Sequence, residues 1–498
     1  MDEDCLKTKS FEECELAILR NAVDSIEKQV GEQVINDPQI KEIIQIVEKF
    51  LKDNKLVCYG GTAINNILPK YDQFYDKSVE IPDYDFYSKT PLRHAKKLAD
   101  IYYKRGYTEV EAKAGLHAGT FKVFVNYIPI ADITYLVPEI YNNIFKEAIK
   151  IDGIYYCPPT YLRMSMYVEL SRPNGNVSRW EKVLKRITLL NKHFPLKGKQ
   201  CKVADIQRLF DNRDLQTEKN LFNIVKETLS AQKCVFFGAF ANKMYLKTMK
   251  KFSRRDVPQI PDFDVLSEDP ETTMRIIKQR LELEGFNKIK IIEKSHIGEI
   301  IPDHHELRVG GETILFVYKP LACHSYNIIK GVEELRLATL DTMLSLYLAF
   351  LYSNRPYYDK NRILCMCDFL FRVQQANRLE QGGLLKRFSI DCIGKQETME
   401  EMRAHKSKIY KELKKEKNNK DFEWYFLRYI PHQIAEEKKL LTLLSKSKPK
   451  TKTKTKTKTK TKTKTKTKTK TKTKTKTKTK TKTKAKKNNK TKKTKKTN

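Results

Sequence analysis

The sequence predicts an α+β fold in which a mixed-sheet domain occurs twice, the second time in degenerate form, with helical segments joining and flanking the copies. Three observations predict it. Short apolar runs of strand-like alternation interrupted by acids, such as Ile81-Pro82-Asp83-Tyr84-Asp85-Phe86, lie between longer stretches of helical periodicity. The same order of motifs returns about 178 residues later. From Thr451 to Lys484 the chain is seventeen consecutive Thr-Lys pairs with nothing apolar to bury, which predicts a disordered tail. The corresponding boundaries are an N-terminal helical region at 1–50, a first sheet domain at 51–150, a helical region at 151–230, the degenerate copy at 231–330, a C-terminal helical region at 331–445 and the tail at 446–498.

Asp37-Pro38 caps a helix whose apolar stripe is Ile40, Ile43, Ile44, Val47 and Leu51, and this leads into a strand at Leu56-Val57-Cys58. Gly60 and Gly61 make a turn whose backbone can approach a phosphate chain, and Thr62 opens a helix whose amides favour negative charge. A second helix starts at Thr90-Pro91, carries Leu92, Ala95, Ala99 and Tyr102 on one face and stops at Gly106. Phe121-Lys122-Val123-Phe124-Val125 alternates as a strand, and Ile130-Ala131-Asp132-Ile133 follows. Residues 160–190 read as helices rich in cations: Arg163, Arg172, Arg179, Lys182, Lys185 and Arg186. These are candidates for triphosphate or RNA-backbone contacts, against the alternative of a solvated helix face. Residues 335–445 read as mostly helical.

Successive side chains alternate faces in a strand, so Asp83 and Asp85 point the same way. With Asp132 from a neighbouring strand they form a set of carboxylates able to hold two divalent metals about 3.5–4 Å apart, the arrangement used for in-line displacement at phosphorus. Taken singly, each part has a plain structural explanation: a solvated turn, an ordinary strand-to-helix connection, a buried ion pair. The ordered set points to phosphoryl chemistry.

The repeat places Phe237-Gly238-Ala239-Phe240 against Tyr59-Gly60-Gly61-Thr62, and Ile260-Pro261-Asp262-Phe263-Asp264 against Ile81 to Asp85. Pro320-Leu321-Ala322-Cys323 matches Pro129-Ile130-Ala131-Asp132 at an offset of 191. On this alignment the second copy has lost a glycine, the threonine and the third acid. A thiol is a poor ligand for magnesium. Residues 60–135 are therefore expected to be the active copy, and residues 237–326 a structural or RNA-holding one.

Composition narrows the class. The tail carries 24 of the positive charges, and subtracting them from the formal net charge of +36 leaves +12 on residues 1–450, which favours a polyanionic partner. The tail itself is expected to hold nucleic acid in a salt-dependent way, or to be an expanded repeat with no selected role. No stretch approaches the ~18 apolar residues needed to span a membrane, and the acidic start Met1-Asp2-Glu3-Asp4 has no signal-like apolar region. Ten cysteines without paired Cys-x-x-Cys spacing suggest reduced thiols in an intracellular protein. Asp303-His304-His305-Glu306 reads as an exposed loop in preference to a metal site.

Gly-Gly-Thr, then Asp-x-Asp, then a distant Asp resembles the DNA polymerase β-type nucleotidyltransferases. Tyr59-Gly60-Gly61-Thr62-Ala63-Ile64-Asn65, the duplicated layout and Pro159-Thr160-Tyr161-Leu162-Arg163-Met164-Ser165 resemble the poly(A) polymerase catalytic subunits of large cytoplasmic DNA viruses, mimivirus-like and more distantly poxvirus-like, over roughly residues 30–440. The resemblance implies two nucleotidyltransferase-like domains, the second degenerate, and template-independent addition of AMP from ATP to RNA 3′ ends. It implies two Mg2+ (or Mn2+) ions on Asp83, Asp85 and Asp132, while the residues themselves make Gly60, Gly61, Thr62, Arg163 and Lys182 the candidates for nucleotide contacts. It further implies a homodimer without a separate processivity subunit, and a place in the host cytoplasm or virion. The 21 residues between Gly61 and Asp83 exceed the superfamily's usual gap, so the place of Thr62 on the triphosphate does not follow from the shorter turn. The residues alone leave two other classes open: a nucleotidyltransferase with another base or acceptor, and a non-catalytic RNA-binding scaffold.

Overall fold

The computed structural model describes residues 10–199, 201, 214–249, 260–331, 333–377, 379–415 and 419–446. The Thr-Lys tail expected to be disordered lies outside them.

Asp37 accepts hydrogen bonds from the amides of Gln39 and Ile40, and so divides α1 (Phe11–Asn36) from α2 (Pro38–Asn54). Of the α2 stripe, Ile40, Ile43, Val47 and Leu51 are buried in the first sheet's core together with Ile46 and Phe50, while Ile44 is only half-buried. The chain then runs through β1 (Val57–Cys58), α3 (Gly60–Ile67), β2 (Tyr84–Ser88), α4 (Pro91–Lys104), β3 (Val110–Ala114), β4 (Thr120–Val125), β5 (Ile128–Tyr135), α5 (Pro138–Glu147), β6 (Ile149–Ile151) and β7 (Ile154–Tyr156). In β2, Tyr84, Phe86 and Ser88 are buried, while Asp85 and Tyr87 face the other way. Strand order is β16-β3-β4-β5-β2-β1-β7-β6, closed at one edge by β16 (Arg428–Tyr429).

After α6 (Pro159–Leu170) and α7 (Trp180–His193) the pattern repeats. It comprises α8 (Leu215–Ala231), β8 (Val235–Phe237), α9 (Gly238–Leu246), β9 (Phe263–Leu266), α10 (Pro270–Leu283), β10 (Ile289–Lys294), β11 (His304–Val309), β12 (Glu312–Tyr318), β13 (His324–Ile329), β14 (Leu335–Ala338), α11 (Leu340–Phe350) and α12 (Lys360–Ala376). The second sheet has the order β10-β11-β12-β9-β8-β14-β13-β15, with β15 at Cys392–Ile393. Strand by strand, β10 to β13 across that sheet reproduce β3 to β6 across the first, with the same parallel and antiparallel senses. The equivalent helices α6 and α11 pack against each other, and every residue of α11 is buried. One continuous apolar core therefore joins the copies. The C-terminal region adds α13 (Met399–Leu413), α14 (Lys420–Phe426) and α15 (Pro431–Lys446). Residues up to Leu440 form one compact unit; of the unit from Leu441 onward, only the end of α15 is described.

Three expectations are corrected. Cys201 is bonded to Cys365 and Cys323 to Cys392, so the cysteines are not all reduced; partners 164 and 69 residues apart leave no mark in local spacing. The Asp303–Glu306 segment is not an exposed loop. His304 opens β11, buried and stacked on Tyr318, and Glu306 is buried in ion pairs with Arg308 and Lys294. The third correction concerns Cys323: β12 runs parallel to β9 with Phe316 opposite Asp264, just as Asp132 lies opposite Asp85 in the first sheet. The position of the third acid belongs to Phe316. Cys323 lies beyond that strand, bonded to β15.

Candidate active site

Asp83 stands immediately before β2 and Asp85 within it, and the parallel pairing with β5 sets Asp132 beside Asp85. The turn before them is tied to the same strand. The Tyr59 amide donates to the Asp85 carbonyl at 2.9 Å, and Thr62 Oγ1 donates to the Asp83 carbonyl at 2.7 Å. Gly60 has φ +74°, and a Cβ there would stand 2.3 Å from Asp85 Oδ2. Glycine is thus required twice over, by conformation and by the carboxylate resting on its backbone.

The cluster is electrostatically loaded. Burial, then repulsion from Asp83 and Asp132, raises the Asp85 carboxyl to about 7. Burial and the Asp132 charge likewise raise Asp83. Lys122, directly across from Asp132 on β4, makes an ion pair with it. Among the described residues, no group of three or more His, Cys, Asp or Glu side chains is already gathered around a metal position. The donor set nonetheless suits a hard divalent cation: three oxygen ligands whose mutual repulsion a cation would relieve.

The long stretch between Gly61 and Asp83 folds back over the turn. Asn65 Oδ1 accepts the amides of Phe74 (2.7 Å) and Tyr75 (2.9 Å), which brings these rings to α7. There the Arg186 guanidinium lies 4.8 Å from the Phe74 ring centre, and its Nη2 donates to the Tyr75 hydroxyl at 2.7 Å. A Cβ on Gly61 would meet Tyr75 Oη at 2.5 Å and Arg186 Nη2 at 3.0 Å, so that cation sits directly over the glycine backbone. Lys182, one turn earlier on α7, has its ammonium pKa lowered chiefly by the Arg186 charge. Arg179 reaches Asp85 electrostatically and pairs with Glu169. Positions 179, 182 and 186 share one helix face, and a cavity of about 390 Å3 opens beside Thr62, Asn65, Tyr75 and Asp83.

Not every expected residue reaches this place. Arg163 is fully buried and donates to the carbonyls of Leu190 and Phe194 and to Asn191 Oδ1, so it closes the C-terminus of α7 and does not face the Gly60–Gly61 turn. Lys185 pairs with Glu181 on the solvated face. The Thr62 hydroxyl is spent on Asp83's carbonyl. Alternation in its strand gives Lys122 no role, and only the β4–β5 register supplies one. Nothing local in the sequence marks Asn65 or Tyr75.

A family model described as the poly(A) polymerase catalytic subunit covers this stretch. Residues 45–176 match it. The resemblance drawn from the motifs therefore holds for the region that carries them. A mimivirus protein whose own description as a poly(A) polymerase catalytic subunit is provisional is 34% identical over 168 residues, 32% of this chain and 28% of that protein. An African swine fever virus protein (strain Badajoz 1971 Vero-adapted), described in the same way, is 30% identical over 168 residues, 32% of this chain and 35% of its own length. The matched stretch thus spans about a third of the length of these curated relatives. The crystal structure of the Megavirus polyadenylate synthase superposes with a TM-score of 0.72 at 21% identity, covering 87% of this chain and 89% of that one. This likeness extends the shared fold across both copies.

Proposed function

We propose that this protein is a template-independent poly(A) polymerase that transfers AMP from ATP to RNA 3′ ends at a single site, in the first copy. The observation that carries the reading is the register Asp85–Asp132 in the first sheet, against Asp264–Phe316 in the second, within the stretch that matches the family.

In the proposed reaction the primer's 3′-oxygen attacks the α-phosphorus, the bond from that phosphorus to the bridging oxygen of the β-phosphate breaks, and pyrophosphate leaves. The hydroxyl proton passes to Asp132 or to water. Asp83, Asp85 and Asp132 would hold divalent cations, Mg2+ or Mn2+, which when bound acidify the hydroxyl and neutralise phosphate charge. Lys122, which pairs with Asp132, must release it for this. Arg186 and Lys182 take the triphosphate over the Gly60–Gly61 backbone, and Asn65 and Tyr75 hold Arg186 in place. The test is extension of a labelled RNA primer with each nucleotide supplied separately. A tail formed with ATP alone supports the reading, and equal use of UTP or no extension contradicts it.

The assembly we propose is a homodimer through α1. Leu16, Leu19, Val23, Ile26 and Val30 are exposed at alternating spacings of three and four, the seam of a two-stranded coiled coil. Sedimentation of wild type against Leu19→Glu/Ile26→Glu tests it: the variant should be monomeric, and an unchanged mass would remove α1 from the interface. Activity in the host cytoplasm or virion of a large DNA virus fits the origin of the relatives.

A further inference from the structure

A second cavity, of about 630 Å3, lies between the copies. Tyr59, Tyr87 and Thr134 line it from the first sheet. Tyr87 and Thr134 each stand two residues beyond a carboxylate, after Asp85 and Asp132, so they continue the same face of the sheet. The cavity is therefore the extension of the carboxylate face toward the second copy. Tyr59 stacks on Tyr87 with ring centres 4.0 Å apart, and Tyr161 meets Tyr87 edge-on. From the far side come Arg172, at the end of α6, and His324, at the start of β13.

Both polar groups are built in without a use that the fold explains. The Ser325 amide donates to the Ser171 carbonyl at 2.8 Å, which fixes Arg172 beside His324. Arg172 Nε and His324 Nδ1 are buried and have no hydrogen-bond partner among the described residues. His324 is only 4% exposed. Glu299, which also lines the cavity, and then Glu169 act on Arg172 through their charge without a hydrogen bond to its Nε, and Glu169 is engaged by Arg179. A buried guanidinium Nε and a buried imidazole nitrogen without hydrogen-bond partners are costly unless a ligand completes them.

We propose that this cavity holds the RNA strand just behind the reacting 3′ end, with a backbone phosphate on Arg172 and the bases against the tyrosine wall. The inference rests on the polymerase reading above. Its volume falls within the roughly 300–1,000 Å3 of pockets that take drug-sized ligands, and aromatic walls with a cation are how single strands are held. None of Arg179, Lys182 and Arg186 lines it, which separates it from the triphosphate side. His324 Nδ1 can donate or accept according to tautomer, which suits a ribose 2′-hydroxyl.

The test is fluorescence anisotropy of a short 3′-blocked oligoadenylate on the full chain without ATP, at salt high enough to suppress contacts to the lysine tail. Arg172→Gln should weaken binding about tenfold or more, as loss of a charge-assisted contact does, and Arg172→Lys should recover part of it. The KM for ATP should not move, and thermal stability should hold or rise because a buried Nε without a partner has gone. A 2′-deoxy oligonucleotide should bind wild type more weakly than the ribo form. Unchanged affinity in Arg172→Gln, while wild type binds the oligomer, overturns the cavity assignment alone. A shift in KM for ATP with RNA affinity intact reassigns the cavity to the nucleotide and also overturns it. Failure of wild type to bind RNA overturns the polymerase reading and this inference together.

Discussion

Phe316 stands opposite Asp264 in the second sheet, at the register position where Asp132 stands opposite Asp85 in the first. The two copies keep the same strand order, yet a hydrophobic ring stands at the register position that an acid holds in the first. In the same copy, Phe240 in the place of Thr62 packs on Phe236 at 4.9 Å and Phe263 at 5.4 Å between ring centres. The second site has been converted to core.

Restoring the acid should therefore not restore a site. Phe316→Asp removes a fully buried ring and places a carboxylate beside Asp264. The expected loss is about 3–5 kcal/mol, the range for emptying a core aromatic position, with further cost from the charge. Urea denaturation checks it. A variant as stable as wild type would mean that the position is not packed core.

The two buried arginines that follow the first sheet should separate cleanly. Arg186→Ala is expected to raise the KM for ATP about tenfold or more, the scale of losing a charge-assisted phosphate contact. Arg163→Ala should instead lower stability by about 2–4 kcal/mol, because it strips the carbonyls at the end of α7 of their donors. Steady-state kinetics beside thermal melts distinguish them. A KM effect at Arg163 without loss of stability would return it to the nucleotide site.

Stability across pH is a contest of opposite signs. Burial holds His94 and His304 to about 4 and His324 to about 3. Below the ordinary histidine range the unfolded chain takes up protons that these rings refuse, so acidification from pH 7 to 5 destabilises the fold. Asp85, raised to about 7, does the reverse: the native state takes up its proton first, and stability rises as pH falls from about 8 toward 4. Asp85→Asn should therefore be more stable than wild type at pH 8 without metal, and should decline more steeply between pH 7 and 5. Melts at pH 8, 7, 6 and 5 test this; parallel curves would show that Asp85 titrates normally.

Much of the site was legible because it is written locally. Alternation put Asp83 and Asp85 on one face, and the glycine turn and the helix after it are signals within a few residues. The duplication was legible for the same reason, since most of its motifs recur at a nearly constant offset. What escaped depends on long-range register. The second copy's strand pairing shifts the offset to 184 at Phe316, and the Pro-x-Ala match at 191 that ends on Cys323 follows no strand register. Lys122 acquires a role only when β4 lies against β5. The return of Phe74 and Tyr75 to Arg186 is set by one asparagine side chain. Arg163 looked like its neighbours on the cation-rich helices because sequence does not say which cations are buried.

The central claim is that only the first copy catalyses. Single-turnover extension of an RNA primer by ATP, at saturating RNA, should be compared for Asp85→Ala and Asp264→Ala with both proteins shown to be folded. The account predicts a loss of at least about a thousandfold for Asp85→Ala, as for removal of a group that acts on the reacting phosphate, and a near-normal rate for Asp264→Ala. Equal, severe losses in the two variants would contradict it.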